Sequence, residues 1–355
     1  MQQNEGRMER IERVANLLGG KPPERILLYP FLLGFCARNV GYPLSSIYDN
    51  AEKSFEAQLK TLEQYGFDWG PMYGYASYGA WEFGGDINMP RGEYEQAPSI
   101  ARFPVTCEED VEKLELPDAM TSGSLPIAIK FARLQAENGM PITPIVGGSF
   151  TLAGNICSPK NLCRWMLKKP GVAHDLLRKA TSHILDTVKC WVDAFGAENI
   201  VPQFWEPLAS NDIISEKQFQ YFVMGYLQEA SDKILSMGVK HLFYHICGEQ
   251  NSNLKYWKEV PMGYPGICSF GKEVDIDTAV KYFGHRCIIV GNIDPQLIKG
   301  GAPEQVLETC RIAIEKGRKA PRGFMLSSGC ETPPDSISDN VSMMRKAVDD
   351  YGTFS

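Results

Sequence analysis

Three residues in this chain form a nitrogen–sulfur set with the makings of a metal site: His245, Cys247 and Cys330. His245 and Cys247 close the run His241-Leu242-Phe243-Tyr244-His245-Ile246-Cys247-Gly248. Cys330 closes Gly323-Phe324-Met325-Leu326-Ser327-Ser328-Gly329-Cys330. Both runs read as strands ending beside a glycine. Along a strand, residues i and i+2 point to one face, so His245 and Cys247 are aimed together. One imidazole and two thiols suit zinc, and three protein ligands leave a fourth position open. Structural zinc sites use four protein ligands at short Cys-x-x-Cys spacings, which do not occur here. A metal on these residues is therefore expected to do chemistry rather than to hold a fold. Taken singly, His245 could be a core histidine bonded to a carbonyl. Any one of the ten cysteines could be a small buried hydrophobe. The joint placement at two strand ends favours the metal.

Eight apolar, strand-like runs must position these groups: residues 25–33, 67–74, 141–149, 200–207, 241–248, 266–271, 286–294 and 323–330. Helical periodicity fills the intervals. Residues 51–65 carry Phe55, Leu59 and Leu62 on one face, and 161–195 are long enough for two helices. Residues 216–237, 303–316 (opening on proline) and 335–351 complete the set. Alternating β and α predicts an α/β protein with a parallel sheet, and eight repeats predict a (β/α)8 TIM barrel. The competing architecture, an open doubly wound sheet, lacks a GxGxxG after its first strand. Residues 74–125 form a long insertion after the second strand, rich in Gly, Tyr, Trp and Pro. Long loops after barrel strands shape active sites. No internal linker appears, so residues 1–355 are expected to be one barrel domain. Residues 1–20 read as a polar leader with a short helix through Ile11, Val14, Leu17 and Leu18.

In such barrels the active site lies at the carboxyl ends of the strands. Glu206 closes the fourth run, Asn292 and Asp294 the seventh, and Asp68 lies early in the second. Glu206 could be a fourth metal ligand, a partner that orients a ligand, or a substrate contact. Asp68, Glu206 and Asp294 are the candidate catalytic carboxylates, although Asp294, before Pro295, could simply cap the next helix. The aromatic stripe Trp69, Tyr73, Tyr75, Tyr78, Trp81 and Phe83 could line a flat or macrocyclic ligand, or pack the loop. Tyr73 and Trp81, with Asn292, are the candidate cofactor contacts.

The net charge of −7, the pI of 5.4 and the lack of a basic cluster argue against nucleic acid as a partner. No apolar run reaches the ~20 residues of a membrane span, and no hydrophobic signal core opens the chain. Scattered cysteines inside apolar runs suit free thiols in a reducing cytoplasm.

Four segments resemble the uroporphyrinogen decarboxylase superfamily. Gly148-Ser149-Phe150-Thr151-Leu152 resembles its "G-P-[FW]-T-L", and Glu206-Pro207-Leu208-Ala209-Ser210 before Asp212-Ile213-Ile214-Ser215 resembles its "D-P-x-A-S…I-S". Gly291-Asn292-Ile293-Asp294-Pro295 is similar to "G-N-[IL]-D-P", and Ser328-Gly329-Cys330 before Asp339-Asn340 to "G-C-…-E-N". Their order spans nearly the whole chain, from about residue 8 to 351. The pattern His245-x-Cys247…Cys330 resembles the zinc site of the methylcobamide:coenzyme M methyltransferase branch, in which a glutamate at position 206 departs from the more usual aspartate.

That resemblance implies zinc on His245, Cys247 and Cys330, and a corrinoid delivered by a partner protein over the insertion. A zinc-bound thiolate would attack the methyl group of methyl-cobalt(III), leaving cobalt(I). In the reverse sense a methylated ether, amine or thioether would charge cobalt(I). The implied partners are the corrinoid protein and a small methyl donor or acceptor, with a second copy of the chain a further candidate. The alternative is a metal-free decarboxylase of the uroporphyrinogen type, using Asp68. Such enzymes open with an arginine-rich segment, for which only Arg38 could stand in here.

Overall fold

Strands that are apolar on both faces need cover on both faces, and a parallel sheet obtains it from its crossover helices. The computed structural model describes residues 2–21, 23–92 and 95–354. In chain order its strands are β1 (Leu27–Leu28), β2 (Asp86–Asn88), β3 (Ser99–Arg102), β4 (Gln203–Trp205), β5 (Phe243–Ile246), β6 (Gly266–Phe270), β7 (Cys287–Ile293) and β8 (Phe324–Ser328). Six of them form one parallel sheet in the order β1-β8-β7-β6-β5-β4. Every residue of β4, β5, β6 and β8 is buried.

Two irregular segments continue this ladder. The Asp68 N–H donates to Leu28 O at 2.8 Å, and Tyr73 forms a parallel bridge to Pro144. Ile142 and Ile145 bridge in turn to Ile200 and Gln203, the last in β4. Residues 67–73 and 142–146 thus hold the second and third places in a ring that runs from β1 to β4 and through β5, β6, β7 and β8 back to β1. This is the α/β barrel expected, with all eight apolar runs in sequence order. Buried side chains replace missing ladder bonds in the irregular quarter. Gln58 Nε2 donates to Met72 O at 2.8 Å while its Oε1 accepts from Met72 N at 2.9 Å. Gln135 Nε2 donates to Pro71 O at 2.7 Å and to Thr143 Oγ1 at 2.9 Å.

Local chemistry sets the helix ends. The helix Ala51–Tyr65 starts where Asn50 accepts from Lys53 N–H and stops at Gly66, whose φ of 69° suits glycine. The span expected to hold two helices divides into Pro159–Lys168 and Pro170–Phe195, because a proline opens the second. Ser215 and Gln218 form a capping box for Glu216–Phe222. The helix Ser149–Cys157 is buried at all nine residues, so it has no polar face for a periodicity argument to find. Its first residue, Ser149, is also the last residue of the third expected strand run, 141–149. The insertion carries the antiparallel pair β2–β3 and the helix Glu108–Lys113. The first helix, Gln2–Leu18, buries Val14 and Leu17 against the core. Among the described residues no helix is long and apolar enough to cross a membrane.

Candidate functional site

His245 sits near the end of β5, Cys247 one residue beyond it, and Cys330 two residues beyond β8. Parallel strands bring these ends to the same mouth of the ring, although β5 and β8 are separated by β6 and β7. The ligand atoms of the three residues all lie within 4.8 Å of one another, and the two sulfurs are 3.8 Å apart. Among the described residues this is the one His/Cys/Asp/Glu group placed to hold a metal ion.

The imidazole is oriented from the neighbouring strand. His245 pairs with Ser269 of β6 in the ladder, and its Nδ1 lies 3.0 Å from Ser269 Oγ. His245 Nε2 is buried and has no hydrogen-bond partner. An unpartnered buried nitrogen is costly unless something else satisfies it. Phe31 and Trp205 stand edge-on to the ring, at 5.9 and 6.1 Å between centroids. The sulfurs share one hydrogen bond. The contact with Cys247 draws the Cys330 thiol downward, against its burial and with help from His245. The same bond, with burial, pushes Cys247 up.

A cavity of about 170 Å³ opens onto these ligands, walled by Phe31, Tyr75, Tyr78, Leu152, Trp205 and Glu331 among others. Its remaining polar wall groups are turned into the protein. Tyr75 O–H donates to Glu82 Oε1 at 2.8 Å, and Tyr78 OH is 2.9 Å from His183 Nε2. Asn155 Nδ2 donates to Ala76 O and Tyr78 O, both at 2.8 Å, and Thr151 O–H donates to Glu206 Oε1 at 2.6 Å. Larger cavities lie elsewhere, one of about 920 Å³ between the first helix and residues such as Met140, Phe195 and His241, but none of them touches the metal-site residues.

Glu331 was not anticipated from the sequence. Burial first, and the adjoining Cys330 second, push its carboxyl up to about 8. The tyrosine Tyr48 O–H donates to it at 3.3 Å. A glutamate directly after the last ligand, in Ser328-Gly329-Cys330-Glu331-Thr332, was the available sign.

Glu206 lies next to the site without lining the cavity. It is fully buried at the end of β4 and fastens the helix Ser149–Cys157 by its amino terminus. Oε1 accepts from Thr151 N–H at 2.6 Å and Oε2 from Phe150 N–H at 3.1 Å. Burial raises its carboxyl to about 7, and the bonds from Thr151 and Phe150 oppose that rise. Gly148 makes room, since a Cβ there would lie 2.0 Å from Glu206 Oε2.

The remaining sequence candidates fall outside the cavity wall. Asp68 is buried in an ion cluster, accepting from Arg25 twice at 2.8 Å, from Arg13 at 3.0 Å and from Leu28 N–H at 2.8 Å. That set joins the first helix to the start of the barrel and leaves Asp68, expected as a catalytic carboxylate, outside the cavity wall. Asp294 caps the helix Pro295–Gly300 through Gln296 N–H and pairs with Lys272 at 2.7 Å. Asn292 Nδ2 ties down the turn after β6 through Gly271 O at 3.0 Å and Val274 O at 2.6 Å. Tyr73 packs with Phe55, Phe131 and Met140 and donates to Tyr48 O. Trp81 packs at the edge of the main core. Of the aromatic stripe, Tyr75 and Tyr78 are the members that reach the cavity.

A family profile described as "Uroporphyrinogen decarboxylase (URO-D)" matches residues 9–351. The methylcobamide:CoM methyltransferase MtaA of Methanosarcina barkeri is 27% identical over 273 residues, covering 76% of this chain and 75% of that protein. A methylated-thiol–coenzyme M methyltransferase of Methanosarcina mazei is 28% identical over 228 residues, covering 62% of this chain and 58% of its own length. Among solved structures, a methyltransferase from Methanosarcina mazei shares the fold with a TM-score of 0.82 at 22% identity, covering 96% of this chain and 98% of its own.

Proposed function

The chain belongs to the uroporphyrinogen decarboxylase family, and on that premise we propose that it is a zinc-dependent methyltransferase acting between a corrinoid and a small molecule held at His245, Cys247 and Cys330. The observation that carries this reading is the buried, unpartnered His245 Nε2 grouped with two sulfurs 3.8 Å apart. Two thiolates on a tetrahedral zinc at ~2.3 Å each would sit about 3.8 Å apart. The donor set and its spacing therefore fit the ion. With zinc bound, its open fourth position would supply Lewis acidity, favouring the thiolate of an acceptor or the leaving group of a donor.

The chain's own residues do the rest. With Ser269 Oγ, 3.0 Å away, accepting the Nδ1 proton of His245, the tautomer would leave its Nε2 lone pair free for the metal. Phe31, Trp205, Tyr75 and Tyr78 exclude water from the reacting centre. Glu331, with its carboxyl raised to about 8, can hold or release the proton of a thiol beside Cys330. A cavity of about 170 Å³ takes a small molecule and not a corrinoid macrocycle, so the corrinoid would approach from outside on a partner protein. Similarity to the methylcobamide:CoM methyltransferase supports that partner. Transfer to a thiol is the primary sense; demethylation of an ether, amine or thioether uses the same geometry in reverse. The metal-free decarboxylase reading finds less support. Asp68 is saturated by two arginines, and Arg38 is exposed outside the cavity.

The test is elemental analysis of protein purified without added metal, beside Cys330→Ala, with demethylation of methylcobalamin by a panel of thiols measured on both. About one zinc per chain, lost in the variant together with activity, is expected. A wild-type protein that holds no zinc, even after reconstitution, would sink the proposal.

A further inference from the structure

The cavity over His245, Cys247 and Cys330 is unusual in what it offers a ligand. Its wall is mostly aromatic and aliphatic, and among the described residues no lysine or arginine lines it. Apart from the metal-site residues and Glu331, the wall side chains that could donate a hydrogen bond already have partners within the protein. Tyr75 faces Glu82, Tyr78 faces His183, Thr151 faces Glu206, and both Asn155 bonds go to backbone carbonyls. The further ionisable group in the wall, Glu331, is itself an acid. The basic side chain on the turn packed against Gly329, Lys272, is held by Asp294 at 2.7 Å. An anionic ligand would leave water for a mostly apolar wall that holds no lysine or arginine, which disfavours it. An apolar body loses nothing on entering and gains aromatic contact.

We infer that the substrate of this cavity is uncharged: a thiol or thioether, or its oxygen counterpart, with a small apolar body, and not a thiol carrying a sulfonate or carboxylate such as coenzyme M. The inference rests on the methyl-transfer reading for calling the bound molecule a substrate. The preference itself comes from the wall. It also separates this chain from coenzyme M, after which the similar methyltransferases are named. Phe31, Tyr75, Tyr78, Leu152 and Trp205 are then the specificity-determining surface.

The experiment is calorimetric titration of the purified protein with two probes that match atom for atom in shape. Methyl 3-methylbutyl sulfide is uncharged, and 3-(methylthio)propanoate replaces its branched end with a carboxylate. The sulfide should bind at least about tenfold more tightly. Ala76 is exposed at the cavity rim, so Ala76→Arg should add a counter-charge without filling the interior and narrow that ratio several-fold. Equal or tighter binding of the carboxylate overturns the inference. So does a failure of the sulfide to bind at its solubility limit, or a ratio that Ala76→Arg leaves unmoved. Zinc content measured on the same samples reports separately on the methyl-transfer reading. A metal-free protein that still prefers the sulfide would sink that reading and leave the ligand class standing.

Discussion

Gly148→Ala adds one methyl group at a place where the barrel has none to spare. The backbone there, φ −107° and ψ 152°, is open to any residue, so the whole effect must come from contact. The new Cβ would lie 2.0 Å from Glu206 Oε2, 2.4 Å from its Cδ and 3.0 Å from its Cβ. No rotamer of alanine relieves this, and the glutamate must withdraw by more than an ångström. It then releases Phe150 N–H and Thr151 N–H, now bound at 3.1 and 2.6 Å, together with the Thr151 hydroxyl. Each buried N–H left without a partner costs about 1–3 kcal/mol, so the two together predict a loss of about 4 kcal/mol. Urea unfolding followed by circular dichroism measures it. The helix Ser149–Cys157 also carries Thr151, Leu152 and Asn155 of the cavity wall, so methyl transfer should fall while zinc content is retained. A stability loss under about 1 kcal/mol would show that this helix and β4 can part at little cost, and the close-packing argument would be wrong.

Three further outcomes are expected. Ser269→Ala removes the partner of His245 Nδ1 and should weaken zinc binding about 10- to 100-fold in competition with a chromophoric chelator; unchanged affinity would contradict the orienting role. Asp68→Asn breaks the buried cluster with Arg13 and Arg25 and should destabilise by about 3–5 kcal/mol while per-molecule activity is kept; lost turnover in a stable protein would restore a catalytic role to Asp68. His183 is held neutral by burial, its value lowered from 6.5 to about 4. Its contribution is fully present above the ordinary histidine value and is lost as pH falls toward 4, because the unfolded chain takes up the proton first. Wild type should therefore lose about 2 kcal/mol relative to His183→Phe between pH 7 and pH 5, and parallel pH profiles would refute this.

The ring of eight was legible because parallel strands buried on both faces leave long apolar runs, and each of the eight runs found its place. The grouping of His245, Cys247 and Cys330 was legible for a related reason: residues at the same end of parallel strands share one mouth. What stayed hidden was pairing. Asp68 looked like a catalytic acid because the residues that neutralise it, Arg13 and Arg25, lie 55 and 43 positions away. Asp294 and Asn292 sit at a strand end, as site residues do, yet their partners are Gln296, Lys272 and the backbone of a neighbouring turn. Glu206 was read as a possible ligand, and the amide groups it holds belong to a helix that has no polar face to announce it. Periodicity reports which way a side chain points, whereas a polar side chain's role depends on what meets it there.

The barrel is not stitched evenly around its circumference. Six strands are joined by regular ladders, and the quarter made of residues 67–73 and 142–146 is fastened largely through Gln58 and Gln135. The excursion of residues 74–125 leaves and re-enters the fold between these same two segments. Insertions or deletions there can reach the β2–β3 pair but leave the ladders of the six-stranded sheet, β5 and β8 among them, outside the altered segment. Part of the cavity wall, Tyr75 and Tyr78, is thus carried on a stretch of chain separate from His245, Cys247 and Cys330. A lineage can lengthen, shorten or rewrite the segment that carries Tyr75 and Tyr78, and so change what the cavity accepts, while the grouping of His245, Cys247 and Cys330 is kept.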